Sequence, residues 1–105
     1  MMDKIAFKMK LKPGKKAEYI QRHAEIWPEL KQLLVDTGVS DYTFFVDEET
    51  HTLFGVQKTS GSEGSQDLGK LEIVQRWWKH MADIMETNPD HSPVTIPLEK
   101  VWHMD

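Results

Sequence analysis

The order in which strand-like and helix-like periodicities follow one another constrains the fold of this chain more than any other sequence feature. From residue 4 to residue 11, apolar side chains alternate with lysine or alanine, which is typical of a strand with one buried and one wet face. Pro13-Gly14 ends this strand, and a helical stripe follows in which apolar or aromatic positions recur every three or four residues. These positions are Ile20, His23, Trp27, Leu30 and Leu34.

Pro28 interrupts this stripe, so we expect either a kink or a new helix that begins at Trp27-Pro28-Glu29 and ends at Thr37-Gly38. Two β-rich runs, 39–47 and 52–58, are separated by a short polar segment and predict an antiparallel hairpin. A polar, glycine-rich loop over 60–65 follows. The later periodicities predict a second helix over 71–85 and a last strand over 94–104, with 101–104 as its most strand-like part.

The resulting order is β-α-β-β-α-β, which predicts an α+β, ferredoxin-like fold with a four-stranded antiparallel sheet and both helices on one face. The other face of such a sheet is uncovered, and we expect Phe44 or Phe45 and one of Tyr42 and Thr43 to line it. A sheet with apolar groups on both faces needs a second cover, and a copy of the same chain is the simplest source. We therefore predict a homodimer of one domain that spans residues 1–105.

Composition excludes several classes of partner and site. The net charge of −4 argues against a surface that binds nucleic acid or an anionic membrane. The absence of cysteine excludes disulfides, thiolate nucleophiles and cysteine-based zinc sites. No run approaches the roughly 20 apolar residues of a membrane span, and the chain starts with a strand pattern rather than a signal peptide. A cytoplasmic location is the expectation.

Two adjacent tryptophans, Trp77 and Trp78, lie in the second predicted helix. Consecutive residues of an α-helix lie about 100° apart, so an amphipathic helix buries one indole and presents the other towards its border. An indole is well suited to the apolar C–H face of a sugar ring, and its N–H can bond a hydroxyl. From this pair alone, a sugar site and a subunit contact are equally good interpretations.

These tryptophans belong to a longer block, Gln75–Met81, which continues into Asn-Pro-Asp-His-Ser-Pro over 88–93, and the first half of the chain carries Arg22–Leu30. Together these blocks resemble the L-rhamnose mutarotase family, small bacterial enzymes that interconvert the α and β anomers of L-rhamnose. The resemblance extends over essentially the whole chain and is weakest over 60–69. It implies a dimeric α+β barrel and a small-molecule sugar as the substrate.

Mutarotation opens a pyranose ring and closes it on the other face of the carbonyl carbon, without a metal, nucleotide or other cofactor. It needs groups that exchange protons near neutral pH, which suits histidine with its ordinary pKa of about 6.5. Of the five histidines, His23 stands out because Tyr19 lies four residues before it on one helical face, although such a histidine alone is more often structural. The resemblance implies that His23 is catalytic and that Tyr19, Tyr42, Trp77 and Trp78 bind the sugar.

Other questions stay open at this level. The second proton could be exchanged by water, by His80 or by a carboxylate such as Glu25, and Arg22 could either lower the pKa of His23 or hold an acidic neighbour. Three other functions are also compatible with the pattern. They are a mutarotase of another 6-deoxy hexose such as L-fucose, a dimeric-barrel monooxygenase that degrades haem or forms quinones, and a non-catalytic sugar-binding module.

Overall fold

The structure is a computed structural model and describes residues 3–60 and 64–105, so positions 61–63 of the predicted polar loop lie outside the described residues. The described residues form four strands and three α-helices in one α+β unit. The strands are β1 (Asp3–Lys10), β2 (Val39–Asp47), β3 (Thr52–Thr59) and β4 (Ile96–Leu98), and the helices are α1 (Lys16–Ala24), α2 (Pro28–Asp36) and α3 (Glu72–Met81). Two short 3₁₀ turns lie at Ser65–Asp67, between β3 and α3, and at Ala82–Ile84, directly after α3.

The sheet is antiparallel throughout, with the strand order β2-β3-β1-β4, which confirms the predicted ferredoxin-like arrangement. The alternation in β1 is confirmed at Phe7 and Met9, which are buried in the core, but not at Ile5, which is 38% exposed. Gly55 lies opposite Phe7 on one side and Phe44 on the other. A Cβ at this position would lie 2.7 Å from Phe7 Cζ and 2.9 Å from Phe44 Cε1, so the two rings can meet over β3 only because it is glycine.

Pro28 divides the predicted first helix into two. Trp27 adopts an extended conformation and precedes α2, whose first residue is Pro28, as expected from the missing proline N–H. The break makes the predicted single stripe wrong at Ile20, which is 59% exposed. Helix α1 has its own phase and buries Tyr19, so Ile20, about 100° further round the helix, faces solvent.

The prediction of a strand over 94–104 is wrong for most of its length. Only Ile96–Leu98 pairs, with Leu98 opposite Ala6 of β1, and residues 101–104 have no regular secondary structure. Continuing this register would set Val101 opposite Asp3, the first residue of β1, so the segment runs past the described end of its partner strand. Trp102 in this segment is 76% exposed.

The face of the sheet opposite the helices carries exposed apolar side chains. Phe45 on β2 is 61% exposed, and Ile96 and Leu98 on β4 are 51% and 37% exposed. Phe45, not Phe44, is therefore the phenylalanine on the uncovered face, because Phe44 packs against the core on the helix side. In the described residues, no helix is long and apolar enough to cross a membrane.

Candidate active site

A cavity of about 260 Å³ lies between the helix-covered face of the sheet and the helices. All five residues predicted from the sequence line it, namely Tyr19, His23, Tyr42, Trp77 and Trp78. The rest of the wall is largely apolar, with side chains from β1, the link between α1 and α2, α2, β2, α3 and the segments that follow α3. These apolar residues are Met9, Ile26, Leu30, Leu34, Phe44, Val74, Met81, Met85 and Pro93.

His23 is held on α1 by three aromatic rings. It stacks on Tyr19 at a ring separation of 4.2 Å and meets the edges of Phe44 and Trp77 at 5.6 and 5.5 Å. Its Nδ1 lies 3.2 Å from the Tyr19 carbonyl oxygen, which can only accept a hydrogen bond. Nδ1 therefore carries the proton, and the neutral ring keeps Nε2 as its basic nitrogen.

The ionisation of His23 and Tyr19 follows from their burial. Burial lowers the pKa of His23 below its usual value, and the bond to the Tyr19 carbonyl offsets this in part. His23 is therefore mainly neutral at neutral pH. Burial, and secondarily the proximity of Tyr42, raises the pKa of Tyr19 well above its usual value. Tyr19 thus keeps its proton and can donate a hydrogen bond, but it is a poor base.

Tyr42 reaches the cavity because β2 contains a bulge. The register against β3 shifts between Ser40 and Thr43, so two residues of β2, Asp41 and Tyr42, lie opposite one residue of β3, Gln57. Asp41 has a φ of 47°, the left-handed conformation that such an extra residue often adopts. The bulge changes the alternation of β2 and places Tyr42 on the helix side of the sheet.

The two tryptophans of α3 differ in burial, as predicted. Trp77 is 9% exposed and packs edge-on against Trp27 at 5.1 Å, whereas Trp78 is half-buried. Trp78 lies against Gly69, where an added Cβ would lie 2.4 Å from its Cη2 atom. Both indoles line the cavity.

Arg22 answers one question that the sequence left open, because its charge is held by carboxylates. Its guanidinium donates to both oxygens of Asp83 at 2.7 and 3.1 Å, to Glu18 at 2.9 Å and to the His80 carbonyl at 2.6 Å. The hydrogen bond from Arg22 lowers the pKa of the Asp83 carboxyl below its usual value. This fork joins α1 to the end of α3 and so fixes the helix that carries His23.

The sequence profile of the L-rhamnose mutarotase family matches residues 4–104. The chain belongs to the L-rhamnose mutarotase family. An L-rhamnose mutarotase from Bacteroides thetaiotaomicron is 65% identical over 99% of this chain and 100% of its own length. One from Formosa agariphila is 62% identical over 99% of this chain and 100% of its own. A crystal structure of an L-rhamnose mutarotase from Formosa agariphila superimposes with a TM-score of 0.88 at 55% identity, covering 98% of this chain and 99% of that one.

A member of the L-rhamnose mutarotase family needs a second group that exchanges a proton with the sugar. Neither of the two side chains that the sequence suggested for this role lines the cavity. Glu25 is exposed and accepts a hydrogen bond from Gln21. His80 is exposed, and its ring centre lies 5.6 Å from that of Trp27. Within 3–60 and 64–105, no group of three or more histidine or acidic side chains could hold a metal ion.

Two polar residues on the cavity were missed by the sequence reasoning for this L-rhamnose mutarotase family member. Lys31 on α2 lines the cavity, but the local sequence of α2 is that of an ordinary surface helix. Ser65 also lines it and is only 6% exposed. It lies in a glycine- and serine-rich run whose composition predicts a loop, and no local signal distinguishes it from its serine neighbours.

Proposed function

We propose that this protein interconverts the α and β anomers of L-rhamnose, with His23 as its principal proton-transfer residue. The observation that carries this proposal is the half-buried, neutral His23 in an aromatic-lined cavity, with Nδ1 bonded to the Tyr19 carbonyl. Membership of the L-rhamnose mutarotase family supports L-rhamnose as the substrate. No observation favours the monooxygenase or the sugar-binding module.

Ring opening and ring closure each need one proton to be removed from the sugar and one to be supplied to it. His23 Nε2 accepts the proton of the anomeric hydroxyl while the ring oxygen gains a proton and its bond to C1 breaks. The open-chain aldehyde then rotates about its C1–C2 bond. Closure on the other face of the carbonyl returns the His23 proton to the new anomeric oxygen, while the attacking hydroxyl releases its own.

The remaining side chains orient the sugar in this proposal. Tyr19 and Tyr42 bond sugar hydroxyls, and the raised pKa of Tyr19 suits a donor that must not ionise. Trp77 and Trp78 pack against the C–H face and the methyl group of the sugar. An apolar wall receives the methyl of a 6-deoxy sugar more readily than a hydroxymethyl group, since the latter would lose its hydrogen bonds with water.

We propose that water exchanges the second proton, because Glu25 and His80 lie away from the cavity wall. Lys31→Met tests this assignment, since Lys31 is the one lysine or arginine among the described residues that line the cavity. The variant should keep its catalysed exchange within about threefold of the wild type, far less than the roughly 10²–10⁴-fold contribution of a general acid or base. A loss of that larger size would assign the proton to Lys31 instead.

Saturation-transfer NMR between the anomeric protons of candidate sugars tests the function. The protein should exchange the anomers of L-rhamnose far faster than buffer. L-mannose, which differs only by a hydroxyl on C6, should be about 10- to 100-fold poorer, as expected for one group in an apolar pocket. A faster reaction with L-fucose would assign the other 6-deoxy hexose, and exchange of all three sugars at the buffer rate would contradict the proposal.

We further propose a homodimer that covers the apolar sheet face. Its support is the exposure of Phe45, Ile96 and Leu98 on the face that the helices leave open. Light scattering after size exclusion should give about twice the 12.2 kDa chain mass, and Phe45→Asp should shift the protein towards the monomer. A wild-type monomer at micromolar concentration would contradict it. A cytoplasmic location stays a prediction of the sequence, which cell fractionation tests.

A further inference from the structure

Gln57 on β3 has no solvent exposure, although its side chain is a polar amide. The amide forms two hydrogen bonds with one residue, Ser65. Its Nε2 donates to Ser65 Oγ at 2.7 Å, and its Oε1 accepts the Ser65 backbone N–H at 2.9 Å. Burying an amide is costly unless its hydrogen bonds are replaced, so this two-point pairing holds both residues in one geometry.

The pairing continues to a residue of the proposed sugar site. Ser65 Oγ donates to Tyr42 Oη at 3.0 Å, and Ser65 and Tyr42 both line the cavity. The bulge in β2 makes this contact possible, because it sets Tyr42 opposite Gln57 on the helix side of the sheet. The donors therefore run in one direction, from the Gln57 amide through the Ser65 hydroxyl to the Tyr42 oxygen.

The backbone before Ser65 is fitted closely to the same amide. A Cβ on Gly64 would lie 2.9 Å from Gln57 Oε1 and 2.8 Å from Ile5 Cδ1. The Gly64 N–H in turn donates to Asp67 Oδ2 at 2.9 Å. Glycine at this position lets the chain approach β3 closely enough for Ser65 to reach both Gln57 and Tyr42.

We propose that Gln57 and Ser65 are positioning residues that fix the hydroxyl of Tyr42 for its role in binding the sugar, a role that rests on the function proposed above. A tyrosine oxygen that accepts one hydrogen bond must direct its own proton to a different partner. A chain of donors that all point the same way also polarises its last member, which makes the Tyr42 hydroxyl a stronger donor. The fully buried Gln57 thus acts on the sugar site without touching the sugar.

A double-mutant cycle in the anomer-exchange assay separates this role from a general structural one. Ser65→Ala and Gln57→Met should each raise KM for L-rhamnose by about three- to tenfold, the size expected from one hydrogen bond. Their kcat should stay within about threefold of the wild type, since proton transfer by His23 is not removed. Ser65→Thr, which keeps the hydroxyl, should keep KM close to the wild-type value.

The decisive comparison uses the Tyr42→Phe background, which removes the hydroxyl that Ser65 positions. Ser65→Ala should then add no further increase in KM. Thr37→Val is the matched control, because the half-buried Thr37 hydroxyl also forms two hydrogen bonds, to the Leu33 and Leu34 carbonyls, and Thr37 itself does not line the cavity. It should lower the thermal midpoint and leave KM unchanged. If Ser65→Ala fails to fold, the same cycle is run with Gln57→Met.

The outcomes distinguish a failure of the positioning role from a failure of the proposed function. A KM increase that is equal in the wild-type and Tyr42→Phe backgrounds would overturn the positioning role of Gln57 and Ser65 and leave the function intact. An unchanged KM in folded Ser65→Ala and Gln57→Met would also overturn the positioning role and leave the function intact. A wild-type protein that does not exchange L-rhamnose anomers above the buffer rate would overturn the proposed function, and the positioning role with it.

Discussion

Adding a single carbon at Gly69 should move one wall of the cavity without touching any residue that handles protons. A Cβ at this position would lie 2.4 Å from Trp78 Cη2 and 2.8 Å from Cζ3. Carbon atoms pack best at about 3.5–4.0 Å, so the tip of the indole has to move by roughly 1 Å in the Gly69→Ala variant. Because Trp78 is half-buried, its ring can shift towards solvent rather than compress the core.

This displacement should affect the sugar more than the fold. Overpacking a site costs about 1–3 kcal/mol, and we expect a value near 1 kcal/mol here because the clashing atoms are the free end of a side chain. A misplacement of about 1 Å can cost about 100-fold in rate, so kcat/KM for L-rhamnose should fall by roughly 10- to 100-fold. Denaturant unfolding measures the loss of stability, and anomer exchange by saturation-transfer NMR measures the fall in kcat/KM.

Gly14→Ala is the matched control for this experiment. Gly14 has a φ of +76° and no atom within 4 Å of an added Cβ, so alanine there strains the backbone far from the cavity. It should cost about 1–2 kcal/mol of stability and leave kcat/KM unchanged. A folded Gly69→Ala variant with wild-type kcat/KM would refute the reasoning, since Trp78 would then have moved without consequence for the sugar.

Three shorter predictions concern other parts of the site. The lowered pKa of His23 means that the unfolded chain takes up this proton first as the pH falls below about 6.5. The unfolding free energy should therefore decrease as the pH falls from there through the folded pKa, and His23→Gln should flatten this slope in denaturant titrations at several pH values. Trp78→Phe should weaken L-rhamnose binding in a fluorescence titration more than Trp102→Phe, because Trp102 is 76% exposed and away from the cavity lining. Arg22→Met should lower the unfolding free energy by about 1–2 kcal/mol, limited by the exposure of its carboxylate partners, and the loss should shrink at high salt.

The parts of the fold that depend on local signals could be predicted from the sequence. The alternation around Phe7 defines β1 because Ile5, Phe7 and Met9 give one face of the strand a run of apolar side chains. Pro28 marks a helix start because it lacks an N–H wherever the tertiary structure places it. The order of elements then leaves few topologies, and the ferredoxin-like arrangement follows from it. The family resemblance gave the five site residues, and the structure brings all five to one cavity.

The features that escaped prediction depend on pairing between distant segments. The choice between Phe44 and Phe45 for the uncovered face depends on the bulge at Asp41, which exists only in the register of β2 against β3. The failed strand over 101–104 has strand-like composition but no partner strand in the described residues. Ser65 lies in a 3₁₀ turn, and its place at the cavity depends on its contact with the fully buried Gln57 amide of β3.

The central claim is that His23 transfers the proton, and the anomer-exchange rate of His23→Ala tests it most directly. Circular dichroism and thermal unfolding must first show that the variant is folded. A general acid or base contributes about 10²–10⁴-fold, so saturation-transfer NMR at neutral pH should show a loss of this size in catalysed L-rhamnose exchange, equivalent to roughly 3–5 kcal/mol of barrier. Exchange within about threefold of the wild type, well below that contribution, would contradict the claim and leave His23 as a residue that only positions the sugar.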